Sequence, residues 1–487
     1  MVDTTKRAVS GSRRGITVGS TGSGCTIRRA GECTTVQDFP GRTGHRQFGI
    51  APAGPLDDYA FRIANRIVGN HCSAAALECI GTGPQILFLE AATVAITGPE
   101  TPITLDSVAV PQWRPIEVAA GQLLSVGAPT SGRTTYVSVR GGWDTPVVMG
   151  SRSTDIAGQL GPFGGRPLSL GQSLTIGHAD SFAPDDSARH ARPVRQPRAA
   201  DPELIPRYCS DWEICVLDGP HGAPEFVSEQ ALKALLDNAC IVAANTVRYD
   251  SAEDSGSPGQ LLLQSPLLRS PSPQVEPDEL RDRPTASVYA VGAICAAKDG
   301  VELITRDTPV CHGSRSPLTI ARADLWKLGQ LNSGDTVRFV RISQRIARQL
   351  FQRQEDIIDS LQNQPSVELS TADLLPLNDE SATVIARLPG DAGQPSIAYR
   401  QAGDKNLLVE FGEELPDGAN WLGVERLVEA IKTLAPPGIE ELTPGRRTLM
   451  IRYDARTVSQ ASLMDILLAL QTNPSDLLFS LTNNKPA

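Results

Sequence analysis

The stretch TTVQDFPGRTG, Thr34–Gly44, runs a β-branched segment into a Pro-Gly turn and leaves a glutamine and an aspartate between them. Thr and Val favour extended backbone and Pro-Gly favours a turn, so the local reading is a strand ending sharply. Gln37 and Asp38 then stand at the strand's end, where polar side chains serve either a turn or a pocket. Soon afterwards GPLDDYAFRIANRIVGN (54–70) changes the period. Pro55 suits a first helical turn, and Asp57 and Asp58 suit the positive end of the helix dipole. Leu56, Tyr59, Ala60, Ile63 and Ile67 form an apolar stripe, and Gly69 ends it. A helix is expected here.

Beyond this helix, short β-like runs alternate with Gly and Pro: QILFLE (85–90), TVAITG (93–98), QLLSVG (122–127), TTYVSVRGG (134–142) and SLTIG (173–177). Such spacing predicts a barrel or sandwich. Residues 1–24 carry little to bury and are expected to be disordered, and GSTGSG (19–24) follows no strand that would make it a phosphate loop. We read 25–343 as one region, with a linker at 180–206 and a long loop at 251–286. Within it, Ser228 would cap a helix near 228–237. A helix and connector at 344–395 lead to a small α+β unit at 396–487, with strands at 406–412 and 447–454 and helices at 421–434 and 460–471.

Composition narrows the function classes. The 487 residues are 40% hydrophobic and 21% charged, a globular profile with room for several cores. A net charge of −10 provides no global positive field for nucleic acid or anionic lipid. Nine cysteines without a CxxC pair and six scattered histidines indicate neither a disulfide framework nor a zinc site. No leader-like or membrane-length apolar run occurs, so a cytoplasmic protein is expected, without a membrane partner and without a metal.

Four further segments join the first two: VSVRGGWDTPVVMGSRST (137–154), GGRPLSLGQ (164–172), IARADLWKLGQLNSGDTVRF (320–339) and YRQAGDKNLLVEFG (399–412). Together they resemble the carboxyltransferase region of urea carboxylase, in which a KipA-like allophanate hydrolase subunit 2 is followed by a KipI-like subunit 1. The resemblance implies a mainly β fold with α+β, namely a cyclophilin-like β-barrel region followed by a small ferredoxin-like domain. It implies transfer of CO2 from carboxybiotin to urea, giving allophanate. Biotin would arrive on a separate carrier protein charged by a biotin carboxylase, with none bound covalently here, and a KipI-like partner is a further expectation. The KipI-like match ends after about 90 residues, so that unit is expected to be truncated.

Such chemistry needs donors for a planar amide and carboxylate, a proton acceptor and a dry pocket. On this basis Gln37, Asp38, Arg140, Ser151, Arg152 and Ser153 are the substrate-binding candidates. The family's glycine-rich substrate segments are altered. They fall on AANTVRYD (243–250), QVEPDELRDRPTAS (274–287) and TRDTPVCHG (305–313), where Glu276 and Asp307 survive as the catalytic candidates. Three functions remain open: a carboxyltransferase whose activity these changes impair, an inactive KipA/KipI-like binding or regulatory protein, and a biotin-independent 5-oxoprolinase-type component.

Overall fold

The computed structural model describes residues 24–178, 196–244, 247–250, 260–263, 267–269, 287–297, 300–308, 311–312, 314–367, 383–390, 395–412 and 419–472. Two sheets come first. One has seven strands in the order Trp143–Asp144, Ser173–Ile176, Cys25–Arg29, Gln85–Phe88, Leu123–Val126, Ile103–Leu105, Val108–Ala109. The other has five, in the order Cys33–Gln37, Ala76–Ile80, Thr134–Val139, Ala92–Thr97, Ile116–Val118. Ile27, Phe88, Ile96, Leu124 and Val137 interdigitate between them, in keeping with the alternation of apolar residues along these strands.

The next unit is a closed seven-stranded barrel. Asp211–Asp218 pairs parallel with Thr336–Arg341 and antiparallel with Leu318–Ile320, and these hydrogen bonds close the ring. The barrel also takes in Leu267–Arg269, and Gln260–Leu263 forms a ribbon with Val247–Asp250. Strands therefore occupy part of the segment that the serine and proline content marked as a loop. Likewise Ala200 and Leu204, in the segment read as a linker, are buried in the core.

The helix spans Asp58–Ile67, with Asp57 as its N-cap accepting from Ala60 N at 2.8 Å. Pro55 lies before the cap. All ten helical residues are buried, because the helix lies between the five-stranded sheet and the barrel and shares one core with both. Its polar side is buried too, and its polar groups are paired: Asn65 donates to Ala74 O at 2.8 Å and Arg62 meets Glu355. Gln330, wholly buried, fastens the same junction. Its carbonyl accepts from Arg133 N and Thr134 N, and its amide donates to Asp57 Oδ2 at 2.7 Å and Thr134 O at 2.9 Å.

The C-terminal unit is a five-stranded antiparallel sheet in the order Val384–Leu388, Ile397–Ala402, Asn406–Phe411, Thr448–Tyr453, Ile439–Pro444. Helices Ala419–Leu434 and Gln460–Thr472 cover one face through Val424, Leu427, Leu463 and Leu467. Arg400 ties the sheet to the barrel side, donating to both Glu225 oxygens at 2.9 and 2.8 Å and lying over the Phe226 ring. The mainly β class with an α+β unit is thus present, in a chain whose two β regions and small domain are in direct contact. No helix among the described residues is long and apolar enough to cross a membrane.

Candidate active-site cleft

A cleft of about 990 Å³ opens where these units meet. One wall is the turn after Cys33–Gln37, with Phe39, Pro40 and Arg46, together with Asp58 and Arg62 from the helix. These two face the same way because they are four residues apart on it. Tyr289–Val291 and Arg306 come from the barrel side, and Arg322 from the segment that follows strand Leu318–Ile320. The opposite wall is the C-terminal sheet, with Asp404, Lys405, Glu440 and Arg452. Gly44 N donates to Glu441 Oε1 at 2.7 Å and bridges the two walls directly.

The lining is charged and mostly paired. Arg62 grips Glu355 with two bonds of 2.6 and 2.8 Å while lying 4.7 Å from the Phe39 ring centre. Arg306 reaches Asp58 at 3.4 Å and Pro40 O at 3.3 Å. Glu440 takes Lys405 Nζ at 2.9 Å and Arg452 Nε at 3.1 Å. Burial, with Arg322 and Arg452 beside it, lowers the Lys405 ammonium to about 7 despite Glu440. Such an amine is close to half neutral at neutral pH and can accept a proton. Glu355 sits at about 2: burial would raise it, but Arg62, Arg322 and Arg456 outweigh that. Among the described residues no group of three or more His, Cys, Asp or Glu could hold a metal ion.

The residues singled out from the sequence fall elsewhere. Asp38, Ser151, Arg152 and Ser153 do converge, but on one another and outside the cleft's lining. The Asp38 carboxylate accepts from Ser151 Oγ at 2.5 Å, Arg152 N at 2.6 Å and Ser153 Oγ at 2.6 Å. Arg152 spends its guanidinium on Asp144 at 2.9 Å and on Thr145 O. Gln37 is buried and donates to Thr35 Oγ1 and Thr154 O while accepting from Gly54 N. These groups shape the turn that carries Phe39 and Pro40 into the cleft. Arg140 lies apart from them, donating to Val68 O just past the helix.

Asp307 follows the cleft residue Arg306 in sequence but is not among the cleft's lining residues. Burial raises its carboxyl well above the usual carboxylate range; Glu78 and Asp155 push the same way and Arg306 opposes them. Glu276 lies outside the described residues. The cleft's own charged groups were present in the quoted motifs: Asp58 and Arg62 in PLDDYAFRIANR, Arg322 in IARADLWK, Lys405 in AGDKN. The signal that could have found them was charge inside a segment otherwise fit for burial.

Comparison with known proteins agrees in both halves. Residues 48–341 match the model of the carboxyltransferase domain, subdomain A and B, and residues 397–480 that of subdomain C and D. The urea amidolyase of Lachancea kluyveri is 34% identical over 459 residues, which is 92% of this chain and 24% of that protein. That of Saccharomyces cerevisiae is 32% identical over 455 residues, 92% and 23% respectively. The crystal structure of Kluyveromyces lactis urea carboxylase superposes with a TM-score of 0.80 at 33% identity, over 94% of this chain and 39% of that one. One component of the 5-oxoprolinase of Escherichia coli is 45% identical over 152 residues, 31% of this chain and 48% of that protein. The chain therefore spans about a quarter of the length of the two amidolyases.

Proposed function

Given that this chain belongs to the carboxyltransferase domain family, we propose that it performs the carboxyltransfer step of a urea carboxylase. It would act in the cytoplasm with separate biotin carboxylase and biotin carrier proteins. The observation that carries this reading is the position of the cleft, whose walls come from the A/B-type and C/D-type regions together. A match to subdomains A and B alone would leave half of that wall unexplained.

The residues present fit biotin: the cleft is roomy, and Arg306, Arg452 and Lys405 offer donors to a ureido ring bearing a carboxyl group. Carboxybiotin on its carrier would supply the CO2. For the chain's own part, Arg306 and Arg452 would hold the carboxyl, and the Phe39 and Tyr289 walls would restrict water. Lys405 Nζ would accept the proton lost by the urea nitrogen. Asp307 and Glu276, together with Gln37, Asp38, Arg140, Ser151, Arg152 and Ser153, remain proposals. The geometry supports Gln37, Asp38 and the serines as groups that position the cleft turn.

The test supplies urea labelled with carbon-13 together with a carboxylated biotin carrier and follows allophanate by NMR. Allophanate formation that falls on Lys405→Met is expected. Absence of allophanate while the carrier stays charged would overturn the reading. A second reading, a biotin-independent component of the 5-oxoprolinase type, draws on the 45% identity to the E. coli protein. Turnover of 5-oxoproline in the same preparation, once partner proteins are added, would favour it.

A further inference from the structure

Arg322 differs from the other arginines of the cleft wall. Arg62, Arg306, Arg452 and Arg456 each face a carboxylate at 3.4 Å or closer, and Arg46 donates to Tyr289 O. Among the described residues the Arg322 guanidinium has no hydrogen bond and no ion pair. It has a support instead: its central carbon lies 3.8 Å from the centre of the Phe351 ring, so the planar fork rests on an aromatic surface. Its backbone is pinned as well, with the N–H donating to both Asp404 oxygens at 3.1 and 3.3 Å. The acids nearest in charge are committed: Glu355 to Arg62, and Glu440 to Lys405 and Arg452. The side chain is half-buried, and an arginine there stays charged.

A half-buried, oriented and unpaired guanidinium is short of one partner, a flat acceptor with two parallel lone-pair sites. We infer that Arg322 anchors a small planar carboxylate attached to an amide, of the kind an N-carboxylated urea presents. The inference rests on the carboxyltransferase reading and adds to it the residue that tells the carboxylated product from the neutral amide. The Phe351 stack fixes the plane of the fork. The carboxylate would then bind edge-on, with its amide end directed into the cleft towards Lys405.

The experiment uses oxamate, a stable amide carboxylate, titrated calorimetrically into the full chain. Wild-type protein is expected to bind it saturably. Arg322→Gln should weaken binding by about tenfold to a hundredfold, the worth of a two-pronged charge-assisted bond. Arg322→Lys, which keeps the charge but loses the fork, should recover only part of this. Phe351→Leu should weaken oxamate by several-fold with the charge intact. Unchanged melting of Arg322→Lys serves as the folding control. No oxamate binding by wild-type protein, or equal binding by wild type and both Arg322 variants, would overturn the inference. These outcomes separate from those of the parent reading. Allophanate formation without Arg322-dependent oxamate binding sinks only the anchor, and Arg322-dependent binding by a protein that never forms allophanate sinks only the reaction.

Discussion

Replacing Glu355 by glutamine tests how the cleft is held together. Glu355 projects from helix Gln344–Ser360 and receives both prongs of Arg62, with Arg456 at 3.4 Å, and its side chain is 12% exposed. Its carboxyl is held at about 2 against an ordinary 4.5. At about 1.4 kcal/mol per tenfold, that difference corresponds to roughly 3 kcal/mol of stabilisation at neutral pH. The figure agrees with the cost of about 3–5 kcal/mol for removing one partner of a buried pair, since Arg62 would be left buried and uncompensated. Folding lowers this pKa, so the contribution is complete above about 4.5 and is lost as pH falls through about 2. Scanning calorimetry should show the transition containing the helix falling by roughly 6–12 °C, at about 2–4 °C per kcal/mol for a unit of this size. The gap to wild type should be level from pH 5 to 8 and close below pH 4.5. Replacing both partners, Arg62→Met with Glu355→Leu, should restore most of the loss, because no charge is then stranded. A Glu355→Gln protein melting within about 2 °C of wild type, or a double variant as unstable as the single, would refute the reasoning.

Three other outcomes are expected. Asp38→Asn removes the charge and one of the two acceptor oxygens that serve Ser151, Arg152 N and Ser153, leaving a donor facing a donor, and should cost about 1–3 kcal/mol in thermal stability; reduced activity with unchanged stability would show that Asp38 binds substrate instead. Glu78 is buried, accepts from Tyr136 Oη and Leu56 N, and is raised to about 7 by burial. The folded chain therefore keeps a proton that the unfolded chain loses, so wild type should lose stability relative to Glu78→Gln as pH rises from 4.5 to 7 and level off above, in melts across that range. At Gly41, φ is +91° and a Cβ would come within 2.5 Å of Pro52 O and 2.7 Å of Ala53 O, so Gly41→Ala should cost about 2 kcal/mol or more and raise protease sensitivity at the cleft turn.

Local order was legible because its causes lie within a few residues of one another. The apolar stripe from Tyr59 to Ile67 determines a helix, Ser228 accepts from Ala231 N as a cap should, and β-branched runs become strands such as Thr134–Val139. The collinear motifs also determined the family. Tertiary structure alone decided the barrel's closure, since the pairing of Asp211–Asp218 with Thr336–Arg341 joins segments more than a hundred residues apart. It alone decided what the polar residues do. Gln37 and Asp38 have the chemistry of ligand donors, and the fold gives the buried Gln37 and the half-buried Asp38 hydrogen-bond partners from Ser151 to Thr154. Arg322 shows the converse. A charge among the apolar residues of IARADLWK marks its arginine only as a candidate, and its character as an unpaired cation arises because Phe351, Asp404 and the committed acids gather around it from distant parts of the chain.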